Sequence, residues 1–144
     1  MYEKLGQFID GKWQQSSDKG TYEVINPATE EVIGHASKAT SEDVERALQS
    51  AKKGLEVWKK TPPWQRSYII RRIADRMREK QDVLAKWMTL EVGKPLAEAK
   101  GEINGAADIF EWNAEETKRI FGQTVESRFE DTRVHVYYQP VGVV

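Results

Sequence analysis

The stretch Leu-Glu-Val-Gly-Lys-Pro-Leu-Ala-Glu-Ala, residues 90–99, holds a helix stop and a helix start almost side by side. Gly93 suits the left-handed position that closes a helix, and Pro95 suits the opening of the next. Upstream, Val83, Leu84, Trp87, Met88 and Leu90 recur at helical spacing and lead into Gly93. The polar run Arg78 to Asp82 separates them from an earlier helical face made of Trp64, Tyr68, Ile69, Ile73 and Met77. Thr61-Pro62-Pro63 ends one helix and begins that one, because proline is tolerated in a first turn. The helix it ends starts near Thr40, which forms a capping-box-like pair with Asp43, and its apolar face is Val44, Ala47, Leu48, Ala51, Leu55 and Trp58. Downstream of Pro95, a long helix carries Leu96, Ala99, Ile103, Ala106, Ala107, Phe110, Ala114 and Phe121 on its apolar side and is expected to end at Gly122.

Outward from this helical layer, residues 40–122, the pattern changes period. Residues 1–36 read as two β-hairpins. Asp10-Gly11 sits between Phe8-Ile9 and Lys12-Trp13, and the Asn26-Pro27 step turns the chain between Thr21–Ile25 and Val32–Ala36. Ser16 to Gly20 is a polar loop. Past an exposed linker, Val134, Val136 and Tyr138 alternate with polar partners through Gln139, as in a half-buried strand. Val141-Gly142-Val143-Val144 reads as the start of a strand buried on both faces of a parallel sheet. A terminal carboxylate inside such a strand is expensive, so the strand is expected to continue into sequence beyond residue 144. The fold class is α/β: two hairpins, several amphipathic helices and C-terminal strands.

Composition narrows the chemistry. The 144 residues carry 22 Lys+Arg against 23 Asp+Glu, so no global field favours nucleic acid or an acidic substrate. No apolar run reaches membrane-spanning length, and Met1-Tyr2-Glu3-Lys4 lacks the apolar core of a secretory leader, which together point to the cytoplasm. Cysteine is absent, which removes disulfides, thiolate metal ligands and a thiol nucleophile from these residues. His35 and His135 are far apart with no ligand spacing around either, and both read as strand residues.

The charged features read blandly. Arg66, Arg71, Arg72, Arg76, Arg78 and Lys80 read as the solvated face of an amphipathic helix rather than a nucleic-acid surface. Glu98, Glu102, Glu111, Glu115 and Glu116 read as solvated charge among Lys100, Lys118 and Arg119. Gly101 and Gly105 each weaken a helix by about 1 kcal/mol against alanine. Close packing is the usual reason for such a pair, and a small-molecule channel the rarer one. No glycine-rich phosphate loop occurs, since Gly6, Gly11 and Gly20 are too scattered for a dinucleotide fingerprint.

Four motifs in register carry a stronger message. Phe-Ile-Asp-Gly-Lys-Trp (8–13), Asn-Pro-Ala-Thr-Glu-Glu (26–31), the stretch at 90–99 and Gln-Pro-Val-Gly-Val-Val (139–144) follow one another at the intervals of the aldehyde dehydrogenase superfamily. Arg66 to Met77 falls where that family has its Arg-rich helix. The chain resembles the family's N-terminal portion over nearly its whole length. Phe110 to Arg119 looks most like bacterial succinate-semialdehyde dehydrogenases.

The resemblance implies part of a three-layer subunit. Residues 133–140 would supply a strand of the oligomerisation arm and 141–144 the start of a cofactor-domain strand, with the catalytic domain absent. It implies a homo-oligomer, dimer or tetramer, that oxidises an aldehyde, succinate semialdehyde among the candidates, with NAD or NADP. In that mechanism a cysteine thiolate attacks the aldehyde, hydride passes to the cofactor, and glutamate-activated water hydrolyses the thioester. All those groups lie outside this chain, so residues 1–144 alone are expected to be inactive. The resemblance also places Gly105, Ile109 and Trp112 beside the substrate channel, against packing alone as the alternative. It places a structural monovalent cation between the Ile25 carbonyl and Glu91, against a simple Glu91–Lys94 pair. The competing functional class is a non-catalytic helical module that docks on full-length subunits.

Overall fold

The computed structural model describes residues 6–144. The leader reading at Met1–Lys4 and the first residues of the hairpin region lie outside that range. In chain order the elements are β1 (Gln7–Ile9), β2 (Lys12–Gln14), β3 (Thr21–Ile25), β4 (Val32–Ser37), α1 (Ser41–Trp58), α2 (Pro63–Glu79), α3 (Gln81–Val92), α4 (Leu96–Glu116), β5 (Gln123–Glu126) and β6 (Arg133–Val136). The strands form three separate antiparallel hairpins, β1–β2, β3–β4 and β5–β6. The mixed α/β class is as expected.

Local chemistry accounts for most of the boundaries. Asp10 and Gly11 take φ of 54° and 76°, the positive angles of a tight turn whose twist matches its strands, and pair Phe8 across from Trp13. In the second hairpin the Asn26 side-chain oxygen accepts from the Ala28 amide at 2.9 Å, folding the chain back on itself. Thr40 caps α1 through a reciprocal capping box with Asp43. Gly93 ends α3 at φ 76°, its amide donating to the Thr89 carbonyl at 2.9 Å.

The core lies between α2, α3 and α4 and is narrow. Its wholly buried apolar residues are Ala74, Ala85, Ala99, Ala107 and Ala114, with Ile103 at 7% exposure. Met77, Leu84 and Met88 pack partly buried against Ala85, Ala99 and Ile103. α2 packs mainly against α4, and α1 against β1.

Four expectations are corrected. The apolar face of α1 exists but is largely uncovered, with Val44, Leu48 and Trp58 exposed. α4 ends at Glu116, six residues before Gly122. The Thr117 hydroxyl donates to the Ala114 carbonyl at 2.8 Å and helps turn the chain out of the helix, leaving Phe121 exposed beyond it. Gly122 instead lets the chain pass close to β6, since a Cβ there would sit 2.6 Å from the Val136 carbonyl oxygen. The linker before Arg133 contains a strand, β5, which supplies the partner that β6 needs. The expected strand at 133–140 is shorter, ending at Val136, and residues 137–144 form none. A strand buried on both faces requires neighbours on both edges, and Val141 and Val144 here have no cover.

Candidate functional site on the outer face of α4

At about 100° per residue, α4 divides into three stripes. Ala99, Ile103, Ala107 and Ala114 form the buried one. Gly105, Ile109 and Trp112 lie on the opposite side within an arc of about 60°. Nothing lies within 4 Å of a Cβ built on Gly105, while Ile109 is 64% and Trp112 71% exposed. The three residues therefore form one open apolar strip, and among the described residues no packing explains the glycine.

Asp108, Glu111 and Glu115 occupy the arc between these two stripes and meet α2. The Arg71 guanidinium donates to Glu111 Oε1 at 2.6 Å and to Glu115 Oε1. Arg78 donates to Asp108 Oδ1 and to Glu111 Oε2, each at 2.7 Å. Glu111 is thus gripped on both oxygens by two different guanidiniums. Arg78 beside it holds its carboxyl below the usual range, with Arg71 adding to the effect. Glu115 is lowered by Lys118 and then by Arg71. Arg71 is raised mainly by Glu115, and Arg78 mainly by Asp108. At the far end, Lys118 Nζ lies 5.0 Å from the centre of the Trp64 ring, and the Thr117 hydroxyl, bonded to the Ala114 carbonyl, also lies 3.3 Å from the Pro63 carbonyl oxygen.

The charged faces are largely solvated, as expected, but the ladder adds cross-helix pairing that the solvated reading lacked. Arg71 and Arg78 are engaged across the helix pair, whereas Arg72 lies over the Tyr68 ring and Arg76 pairs with Glu79 on its own helix. The signal was in the spacing. Arg71 and Arg78 stand seven apart, as do Asp108 and Glu115 with Glu111 between them, so the two sets match along antiparallel helices.

The residues suggested for a cation come from two elements. Ile25 ends β3, and Glu91 lies on the exposed side of the last turn of α3. Pro27 brings the elements together: its Cγ lies 3.0 Å from where a Cβ on Gly93 would be. Lys94, the alternative partner considered for Glu91, makes its ion pair with Glu102. Among the described residues no group of three or more His, Asp or Glu side chains is placed to hold a metal ion. His35 lies in β4 opposite Glu23, and His135 lies in β6 with Nδ1 3.2 Å from the Thr124 hydroxyl. Among the described residues no helix is long and apolar enough to cross a membrane.

The pattern of the aldehyde dehydrogenase family matches residues 13–144. The chain belongs to the aldehyde dehydrogenase family. It is 45% identical over 136 residues to the glutarate-semialdehyde dehydrogenase of Pseudomonas aeruginosa, covering 94% of this chain and 28% of that protein. It is 42% identical over 135 residues to the NADP+-dependent succinate-semialdehyde dehydrogenase of Escherichia coli, again covering 94% and 28%. The crystal structure of succinate-semialdehyde dehydrogenase from Burkholderia pseudomallei superposes with a TM-score of 0.88 at 40% identity, covering 93% of this chain and 28% of that one. The chain thus spans a little over a quarter of the length of these aldehyde dehydrogenases.

Proposed function

We propose that residues 1–144 are the N-terminal segment of an NAD(P)+-dependent semialdehyde dehydrogenase, and that the outer strip of α4 borders the path of the aldehyde. The observation that carries this reading is the similarity to succinate- and glutarate-semialdehyde dehydrogenases through α4, where Gly105, Ile109 and Trp112 stand open. The cofactor would accept hydride from the substrate carbon. The chain has no cysteine to serve as nucleophile and no glycine-rich phosphate loop, so no step of the chemistry is assigned to its residues. Their part is to shape and wall the route to the reacting carbon.

Three further roles belong to the same proposal. The β5–β6 hairpin, whose strand residues are all exposed, serves as the arm that joins subunits into a homo-oligomer. Residues 141–144, which form no strand within this chain, become one only beside strands of the cofactor domain supplied from outside it. A monovalent cation is held near the end of α3 by the Ile25 carbonyl, Glu91 and helix-end carbonyls. These are the hard oxygen donors such an ion prefers, on two segments that the Pro27–Gly93 contact brings together. The protein would work in the cytoplasm.

The test is an assay of a polypeptide of the relatives' length that begins with this sequence. It is expected to reduce NADP+ or NAD+ with succinate or glutarate semialdehyde, followed by the near-ultraviolet absorbance of the reduced nicotinamide, while residues 1–144 alone give no turnover. A well-folded long protein inactive on every aldehyde would leave the docking-module reading in its place.

A further inference from the structure

The fully buried side chains in the seam between α2 and α4 are mostly small. Ala74 of α2 and Ala107 and Ala114 of α4 are completely buried and Ser67 of α2 nearly so, while Ala99 and Ile103 of α4 cluster with Ala85 of α3. Alanine ridges are shallow and interlock weakly, so such a seam brings helices close without strongly fixing how one is turned about its own axis. Something else must set that angle. Beside the seam stands the ladder in which Arg71 spans Glu111 and Glu115 and Arg78 spans Asp108 and Glu111.

These ion pairs are poorly suited to stabilise the fold by energy alone. The Arg71, Arg78 and Glu111 side chains are 41%, 36% and 39% exposed, and pairs this open to solvent add little net stability. Their geometry says more. A guanidinium presents donors in a fixed planar fork, so one that reaches two carboxylates on successive turns restricts both sliding and rotation. Two such forks meeting on opposite oxygens of Glu111 restrict rotation further. A turn of α4 by about 20° would move atoms on its outer surface by about 2 Å.

We propose that Arg71 and Arg78 are positioning residues that act through Glu111 to fix the rotation of α4 and thereby aim Ile109 and Trp112. This rests on the reading that the outer strip of α4 borders the aldehyde path. Removing the clamp lets the strip swing. A displacement of about 1 Å far from the chemistry can lower turnover by up to about a hundredfold. The loss is uneven among substrates, because a misaimed Trp112 affects long aldehydes differently from short ones.

The experiment uses the full-length dehydrogenase labelled with 5-fluorotryptophan, with the Trp112 resonance assigned by Trp112→Phe. In Arg71→Gln/Arg78→Gln the Trp112 fluorine signal is expected to shift or broaden while the signals of Trp13 and Trp58 stay in place. The ratio of kcat/KM for long against short aldehydes is expected to change about fivefold or more, with the cofactor KM unchanged. If the double variant fails to fold, Glu111→Gln reads the same clamp at its centre with a smaller perturbation. An unmoved Trp112 signal in a folded clamp variant overturns the clamp whatever the strip does. Gly105→Leu tests the strip separately: if it leaves the long-to-short ratio unchanged, the channel reading fails while the fluorine signal still decides the clamp. A clamp variant that lowers kcat/KM for every aldehyde by one common factor shows the ladder to be merely structural.

Discussion

The first hairpin and the last are built alike and held differently. β1–β2 and β5–β6 are both short antiparallel pairs next to a long helix. The first is tied down through the capping box of α1. There Asp43, at 1% exposure, accepts from the Thr40 amide at 3.0 Å and the Ser17 amide at 3.2 Å, and also pairs with Arg46. Gln7 in β1 reaches the same carboxylate at 3.4 Å, and Ser50 of α1 donates to Asp10 in the hairpin turn at 3.2 Å. In β5–β6 every residue is exposed, and its one interstrand side-chain hydrogen bond among the described residues joins Thr124 to His135. The contrast teaches that a hairpin this short takes its stability from what it docks on. The first docks on its own chain. Among the described residues the last has two unpaired strand edges, with Val125, Val134 and Val136 exposed beside them, and open edges are where further strands add.

Asp43→Ala should produce the largest effect and erase the contrast. It removes the acceptor shared by Thr40, Ser17 and Arg46, so β1–β2 and the loop after it should lose amide-exchange protection while β5–β6 is unchanged. Equal loss in both hairpins would show that the first is not held by this carboxylate. Acid should do the same without a mutation. The Thr40 backbone amide, foremost among its partners, holds the Asp43 carboxyl well below its ordinary range. A carboxyl depressed in the folded state contributes stability that is fully present above its unfolded value, about 3.9, and is lost as pH falls through the folded value. Protection of β1–β2 should therefore decline only in strong acid, and Asp43→Asn should flatten that dependence.

Gly122→Ala acts on the other side of the comparison. The new methyl would meet the Val136 carbonyl oxygen at 2.6 Å, and overpacking of this kind destabilises by about 1–3 kcal/mol. Thermal melting should fall, and the exchange protection of β5–β6 should fall with it while that of β1–β2 is kept. Val134→Lys leaves the fold intact and places a charge on the open edge. Sedimentation at several concentrations should show self-association weakened about tenfold or more, and an unchanged association constant would clear this edge of a role. Thr124→Val is the mildest change, removing one exposed hydrogen bond to His135 for less than about 0.5 kcal/mol. A larger shift in melting would mean that the last hairpin is better anchored than its exposure implies.

What was legible in the sequence was local. Asp10-Gly11, the Thr40–Asp43 box, the paired prolines and Gly93 each decide their own backbone angles, so the hairpins and helix limits around them could be read residue by residue. What escaped depended on partners elsewhere in the chain. β5 has no clear alternation of its own and becomes a strand because β6 lies against it. Gly122 reads as a helix stop until the Val136 carbonyl is seen beside it. The apolar face of α1 was legible as a pattern, but its lack of cover was not. The family was legible from the order of four motifs, and the shared face of Gly105, Ile109 and Trp112 from their spacing. The Arg71–Glu111–Arg78 ladder was written in matching intervals on two helices, yet nothing local says that those helices are antiparallel neighbours.

The contact of Pro27 with Gly93 bears on the order in which the chain assembles. Each partner is ready early, one in a tight turn and the other at a helix end that needs only its own last turn. Bringing them together, however, closes a loop that contains α1, α2 and α3, and closure entropy rises with loop length. Such a contact forms after the helices it encloses and is among the first to open on warming. The second hairpin is therefore a latch on the helical layer rather than a foundation for it. A probe on Pro27 and one on Gly93 should separate at a lower temperature than that at which α2 parts from α4.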